Sequence, residues 1–348
     1  MGKRIIFCSD GTWDTAQSAT NVYKLFKSIL PLEDQLAFYD EGVGSDGTSF
    51  DKLVGGAFGN GLFQNIKDGY GKIAEVYEPG DDIFLFGFSR GAYTSRSLAG
   101  MIAICGLPTK SFDDNLVQTA FQAYRHPRQR ASILASLKNY GLSHSLIKMV
   151  GVWDTVGSLG IPALFGKVGP LIYGFLDTNL HPNVLNAYHA LAIDERRGEF
   201  PPTLWTQPFP PIPGQVLEQV WFSGVHCNVG GGYEESGLSD ITLGWMLEKA
   251  GNLGLQIDPD ILAKYSSLDE SHALDKMHES WNLLWLFPQT RTIPGDAAVS
   301  NTVAIRCESE QSYQPKNLQL INGKLDASYQ VVQVVNTTTA DLSPAPVL

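Results

Sequence analysis

The chain has 348 residues, 43% of them hydrophobic and 18% charged, which supplies a sizeable core and argues against global disorder. Its 36 acidic residues outnumber 25 basic ones, for a net charge of −11. That balance argues against a nucleic-acid partner, which normally calls for a basic face, and against unaided electrostatic docking on an anionic membrane.

Met1-Gly2-Lys3-Arg4 is positively charged, but the apolar run behind it ends by Cys8, too short for a signal-peptide core. No run approaches the roughly 18 apolar residues of a membrane span. A cytoplasmic location is expected, although export without a cleaved signal would leave no trace. Cys8, Cys105, Cys227 and Cys307 lie far apart with no Cys-x-x-Cys pair. The expectation is free thiols in a reducing compartment, with neither a zinc site nor a disulfide framework.

Residues 4–8 read as a strand that runs into Asp10-Gly11-Thr12. Residues 60–77 read as a helix with Leu62, Phe63, Ile66, Tyr70, Ile73 and Tyr77 on one face, and residues 78–82 as a turn. Residues 83–88, Ile-Phe-Leu-Phe-Gly-Phe, are continuously apolar, as in a strand buried on both faces of a parallel sheet. A helix is expected from Ala92 to about Ile104, stopped by Gly106. Residues 147–153 and 219–225 read as two more buried strands, and 239–250 as a helix capped by Ser239 or Asp240. Strands alternating with helices predict an α/β chain with a mainly parallel sheet and right-handed crossovers.

One domain over 1–335 is expected, followed by a flexible tail at 336–348. Two cap-like insertions interrupt it, at about 158–182 and 255–300. The apolar stretches within them, including Trp281-Asn-Leu-Leu-Trp-Leu-Phe-Pro, read either as ordinary core or as the lid or lining of an apolar pocket.

Gly87-Phe88-Ser89-Arg90-Gly91 is a Gly-x-Ser-x-Gly motif with a buried strand before it and a helix after it. A strand turning sharply into a helix strains the residue at the apex and lifts its side chain above the sheet edge. Gly87 and Gly91 remove side chains that would meet the neighbouring strand and helix. Ser89 is therefore the candidate nucleophile, and the Arg90 N–H a candidate oxyanion donor. A serine needs a base, and the base a carboxylate, in the chain order Ser, acid, His for this class of sheet.

Seven histidines are present. His126, His144, His181 and His189 read as helical or loop positions away from strand ends, and His272 and His278 as a polar helix-like segment. Only His226 directly follows a buried strand, with Gly230, Gly231 and Gly232 leaving room for its ring. Asp154 directly follows another strand and precedes His226; Asp194 and Asp240 are its competitors, Asp240 more as a helix cap.

Cys8-Ser-Asp10-Gly11-Thr12 is close to the Asp-x-Asp-Gly-Thr signature of dehalogenase-type phosphatases, but Cys8 stands where that signature has its nucleophile. The turn instead suits a second oxyanion donor from the N–H of Gly11 or Thr12. Asp10 and Asp14 would hold the turn or stand near the triad.

The segments Asp10-Gly-Thr-Trp-Asp14, Gln64–Tyr70, Tyr77–Ile102, Gly151–Gly160, Ala190–Trp205, Val220–Tyr233 and Tyr313–Leu318, in this order, resemble one large α/β-hydrolase family. It is the uncharacterised family that includes the type VI secretion phospholipase effectors and many stand-alone bacterial and fungal members. The resemblance runs from about residue 3 to about residue 318. It implies an α/β-hydrolase fold with a Ser-Asp-His triad on Ser89, Asp154 and His226. Effector members are much larger, with membrane-binding additions, so the resemblance implies the hydrolase chemistry and leaves the substrate open among phospholipid, neutral lipid and short ester.

The expected activity is a serine esterase or lipase acting through an acyl-enzyme, with no cofactor, no metal, an ester or lipid partner and possible membrane-surface contact. Two other readings stand beside it. One is a metal-dependent phosphoesterase using Asp10, Asp14 and Asp154 as oxygen ligands. The other is a non-catalytic member binding lipid or protein through the Trp-rich segment.

Overall fold

The computed structural model describes residues 2–11, 18–42, 58–156, 179–282 and 288–336. Thr12, Asp14, most of the first expected insertion and nearly all of the tail lie outside them. The apolar runs form the middle of an eight-stranded sheet. Its strands are β1 (Arg4–Ser9), β2 (Gln35–Asp40), β3 (Asp82–Phe88), β4 (Ile147–Trp153), β5 (Asn186–Ala192), β6 (Val216–Phe222), β7 (Ala298–Ser300) and, after a small antiparallel hairpin of β8 (Leu320–Ile321) and β9 (Lys324–Leu325), β10 (Gln330–Val332). The order is β10-β7-β6-β5-β4-β3-β1-β2, and every pairing in it is parallel.

Residues along each central strand alternate between two buried faces, as the two-residue period requires. Ile5, Phe7, Ile83, Leu85, Val150 and Val152 enter one cluster, with Ile66, Tyr70, Leu98, Ile102 and Phe121 from the helices Phe58–Val76, Arg90–Cys105 and Asp114–Arg125. Ile6, Cys8, Phe84, Phe86 and Met149 enter the other, with Val22, Leu25, Ile241 and Trp245 from the helices Asn21–Ser28 and Gly237–Asn252. Each such fully buried side chain contributes about 1.5–3 kcal/mol relative to exposure, so these six-to-seven-residue apolar runs account for the sheet's centre. This is the α/β-hydrolase architecture. Its parallel strands bring the C-terminal ends of β3 to β6 to one edge, where ligands of such sheets bind.

Several boundaries differ from the sequence-based expectation. The elbow helix starts at Arg90 rather than Ala92, directly on the strained serine. The helix expected at 239–250 spans Gly237–Asn252 with Ser236 at its cap. Its first N–H, of Gly237, donates to Asp275 Oδ2 at 2.7 Å, a distant carboxylate doing what Ser239 or Asp240 was expected to do locally. The strand expected at 219–225 is Val216–Phe222, and Ser223–Val225 instead form the turn into His226. The stretch 255–300 is not all peripheral: Leu255, Ile257, Tyr265 and Leu268 are core residues, and its end is β7.

Candidate active site

Ser89 occupies the apex between β3 and its helix, at φ 57° and ψ −116°. A non-glycine residue there stores on the order of 1–3 kcal/mol, and the surroundings hold it. Its N–H donates to Trp153 O at 3.1 Å, tying the elbow to the end of β4. Its side chain makes no capping bond to its own helix, and the residue is 4% exposed.

The helix start also presses on the exit of β1. A Cβ on Gly91 would lie 2.0 Å from Ser9 O and 2.5 Å from Asp10 O, and one on Gly87 would lie 2.3 Å from Gly91 O. These are backbone atoms that cannot swing aside. Gly91→Ala should therefore destabilise the fold by about 3 kcal/mol and lower its melting temperature by several degrees. A thermal scan matching the wild type would show that the elbow is not packed this way.

Asp154 follows β4 directly, at φ 40°. Its N–H donates to Ala190 O at 2.8 Å. Its carboxylate is fully buried and accepts four hydrogen bonds. Oδ1 takes the Ala192 N–H at 3.0 Å and Arg291 Nη1 at 2.6 Å; Oδ2 takes Arg291 Nη2 at 2.9 Å and lies 2.6 Å from His226 Nδ1. Burial alone would raise this carboxyl, but the Arg291 guanidinium and the His226 ring override it and hold it far below the usual carboxylate range. An ionised Asp154 requires the proton on His226 Nδ1, leaving Nε2 as the lone-pair nitrogen.

His226 opens a short helix, His226–Gly230, just after β6. Its ring lies between two others. The Phe88 centroid is 4.5 Å away and tilted, and the Phe200 centroid is 5.1 Å away, edge-on. Phe88 immediately precedes Ser89, so this contact carries the imidazole to the elbow. A Cβ on Gly230 would overlap the Phe88 ring at 1.9 Å, so the glycine at 230 is what leaves room for Phe88 beside His226. Burial lowers the His226 pKa against the pull of Asp154, with Arg197 also lowering it.

The backbone of His226 is held by a second buried carboxylate, Glu195, whose Oε2 accepts its N–H at 3.2 Å. Arg197 grips Glu195 with Nε at 2.9 Å and Nη2 at 2.9 Å, and Ser280 Oγ donates to it at 2.8 Å. Burial would raise Glu195, but Arg197 brings it down to about 2.

The β1 turn meets the elbow through the Gly91 contact. Asp10 is buried there, with Oδ2 accepting from Thr20 Oγ1 at 2.5 Å and Tyr39 OH at 2.7 Å. Of the two N–H groups expected to serve the oxyanion, that of Gly11 donates instead to Asp10 Oδ1 at 2.8 Å, and that of Thr12 lies outside the described residues. Both carboxylate oxygens of Asp10 are thus committed to protein donors. Among the described residues no group of three or more His, Cys, Asp or Glu is arranged to hold a metal ion.

The competitors sit elsewhere. Asp194 accepts from Gly224 N at 2.7 Å and Tyr313 OH at 3.0 Å, and burial pushes it up to about 6. Asp240 lies in the first turn of its helix, paired with Lys24 at 2.8 Å. His189 departs from the expectation of a loop or helix: it lies in β5, fully buried, its Nε2 accepting the Thr155 N–H at 3.1 Å. It thus braces the residue after Asp154. Arg291 and Glu195 carry no strand-end signal in the sequence, and His189 reads there as a loop or helical position. The one local signal was the charge cluster Asp194-Glu-Arg-Arg197.

Residues 3–249 match the family described as the catalytic domain of Tle1-like type VI secretion phospholipase effectors. An uncharacterized protein of Saccharomyces cerevisiae is 32% identical over 255 residues, 65% of this chain and 35% of its own length. The chain thus spans about a third of that relative. Among solved structures, an uncharacterized protein from Pseudomonas aeruginosa is 17% identical at a TM-score of 0.44, covering 76% of this chain and 48% of that one. The Tle1 effector bound to the VgrG spike is 16% identical at a TM-score of 0.36, covering 68% and 52%. An acetyl xylan esterase is 13% identical at 0.31, covering 73% and 100%. A family match that takes in residues 3–249 covers well over half of the chain, and the chain therefore belongs to the Tle1-like phospholipase effector catalytic-domain family.

Proposed function

We propose that the chain is a serine hydrolase of carboxylic esters, with lipids or phospholipids as its substrates. The observation that carries this reading is the buried Asp154–His226 pair, 2.6 Å apart, on the same sheet edge as a serine strained at φ 57° and adjoining it through Phe88. In this reading Ser89 Oγ attacks the ester carbonyl and His226 Nε2 takes its proton. The ring then gives that proton to the leaving alcohol, and water repeats the cycle on the acyl-enzyme. Asp154 keeps the ring oriented and offsets its transient charge. The Arg90 N–H, at the start of a long helix, is the first oxyanion donor; with the Gly11 N–H taken by Asp10, the Thr12 N–H, outside the described residues, is left as the candidate for the second. Lipid is favoured over other esters by membership of a family whose described effectors are phospholipases.

The Asp10 geometry favours this chemistry over a metal-dependent phosphoesterase, since its oxygens already accept three protein donors. A fluorophosphonate probe tests the proposal. The wild type should be labelled at Ser89, and Ser89→Ala and His226→Ala should remain unlabelled. A folded wild type that resists labelling across neutral pH, or a Ser89→Ala protein that labels equally, would refute it. A panel of phospholipid, triglyceride and short esters then assigns the substrate.

A further inference from the structure

The Ser-Asp-His reading uses only the His226 side of the Asp154 carboxylate. The other side is occupied by Arg291, and nothing in that reading accounts for it. Arg291 is 6% exposed. Its guanidinium grips Asp154 with both terminal nitrogens, at 2.6 and 2.9 Å, and also donates to Ala192 O and Phe200 O at 2.8 Å each. One side chain thus joins the ends of β4 and β5 to the loop whose Phe200 ring rests on His226. Arg291 also lies beyond residues 3–249, the stretch the family match covers.

We propose that Arg291 is a positioning residue, which fixes the plane of the Asp154 carboxylate for His226 and sets how far into acid the reaction persists. This rests on the triad reading above. A fork of two parallel N–H···O bonds fixes a carboxylate's plane where a single bond cannot. The electrostatic part follows from Oδ2, which serves both Arg291 and His226. A cation sharing that oxygen weakens the attraction of Asp154 for a charged imidazole.

Among the described residues, the other charges acting on His226 come from one segment: Glu195, which favours the charged ring, and Arg197, which opposes it. They are paired with each other at 2.9 Å. The two phenyl rings exclude water and oppose charge further. Burial already holds the ring toward its neutral form, and Arg291, by sharing Oδ2 with it, adds to that by drawing on the charge that would favour an imidazolium, so that the ring remains a base at lower pH than free imidazole, whose pKa is about 6.5.

The test is the rate of fluorophosphonate labelling against pH, with Ser89→Ala as the blank, for the wild type, Arg291→Lys and Arg291→Met. The wild-type acid limb is expected below pH about 6.5. Arg291→Met should move it up by roughly one unit, so that labelling below the limb falls about tenfold relative to the plateau. Arg291→Lys keeps the charge and loses the fork, so its limb should stay near the wild type's while the plateau drops several-fold.

An unmoved limb in Arg291→Met, with only a lower plateau, would make Arg291 a structural residue and overturn the proposal. If Arg291→Met does not fold, the other two proteins decide. A wild-type limb at or above pH 6.5, or a Lys plateau equal to the wild type's, would also overturn it. Failure of the wild type to label at any pH would instead refute the hydrolase reading, and this inference with it.

Discussion

Ser89→Ala should abolish ester turnover, by about 10³-fold or more in kcat/KM, while leaving the fold intact. Both halves follow from the elbow. In the proposed mechanism Ser89 Oγ forms the acyl-enzyme, so its loss removes a step rather than weakening one. Its removal disturbs little else, because it makes no capping bond to the helix it precedes. The backbone bond that holds the elbow, Ser89 N–H to Trp153 O at 3.1 Å, is retained in alanine.

The check is turnover of a chromogenic ester beside a thermal melt. Unchanged melting with lost activity is the expected pair of results. Substantial hydrolysis by the folded variant would mean that the reaction does not pass through Ser89. Lost activity with a collapsed melting temperature would mean that the serine holds the elbow itself.

Much of this site was readable because its parts sit at the ends of runs that local chemistry makes obvious. Ile83–Phe88 and Ile147–Trp153 are largely apolar on both faces, and each is followed at once by a residue of the proposed triad, Ser89 or Asp154. His226, the proposed base, follows from the same rule even though β6 was expected three residues too far along, since the turn still delivers it to the sheet edge. β5 was missed because Asn186-Ala-Tyr-His-Ala-Leu-Ala192 mixes polar and small residues. It is a central strand only because its neighbours bury it, and His189 was misplaced with it. β2, at the sheet's edge, shows only the half-buried face of Leu36 to Asp40.

Arg291 and the Asp275 cap belong to another class. Their partners lie far away in sequence, 137 residues from Arg291 to Asp154 and 38 from Gly237 to Asp275. No local period encodes such contacts, and only the completed fold brings them together.

Asp154→Asn is the second substitution with a large effect, and it should act in two separable ways. Asparagine keeps the shape but replaces one oxygen with an NH2 group. The site offers four donors to the carboxylate, two on each oxygen. An amide oxygen at the δ1 position still accepts from Ala192 and Arg291 Nη1. The NH2 at δ2 then meets Arg291 Nη2 donor to donor, and presents N–H to His226 Nδ1. That favours the tautomer with its proton on Nε2, which cannot accept from Ser89, and turnover should fall by about 10⁴-fold.

Stability should fall as well. Arg291 is left as a buried cation without a counter-charge, which costs about 3–5 kcal/mol. The two effects part in the double variant Asp154→Asn/Arg291→Met. Removing the stranded cation should restore much of the melting temperature, because the pair is coupled, but none of the activity, because the ring keeps the wrong tautomer. Recovery of activity in the double variant would show that Asp154 serves only to neutralise Arg291, and the orienting role assigned to it would have to be abandoned.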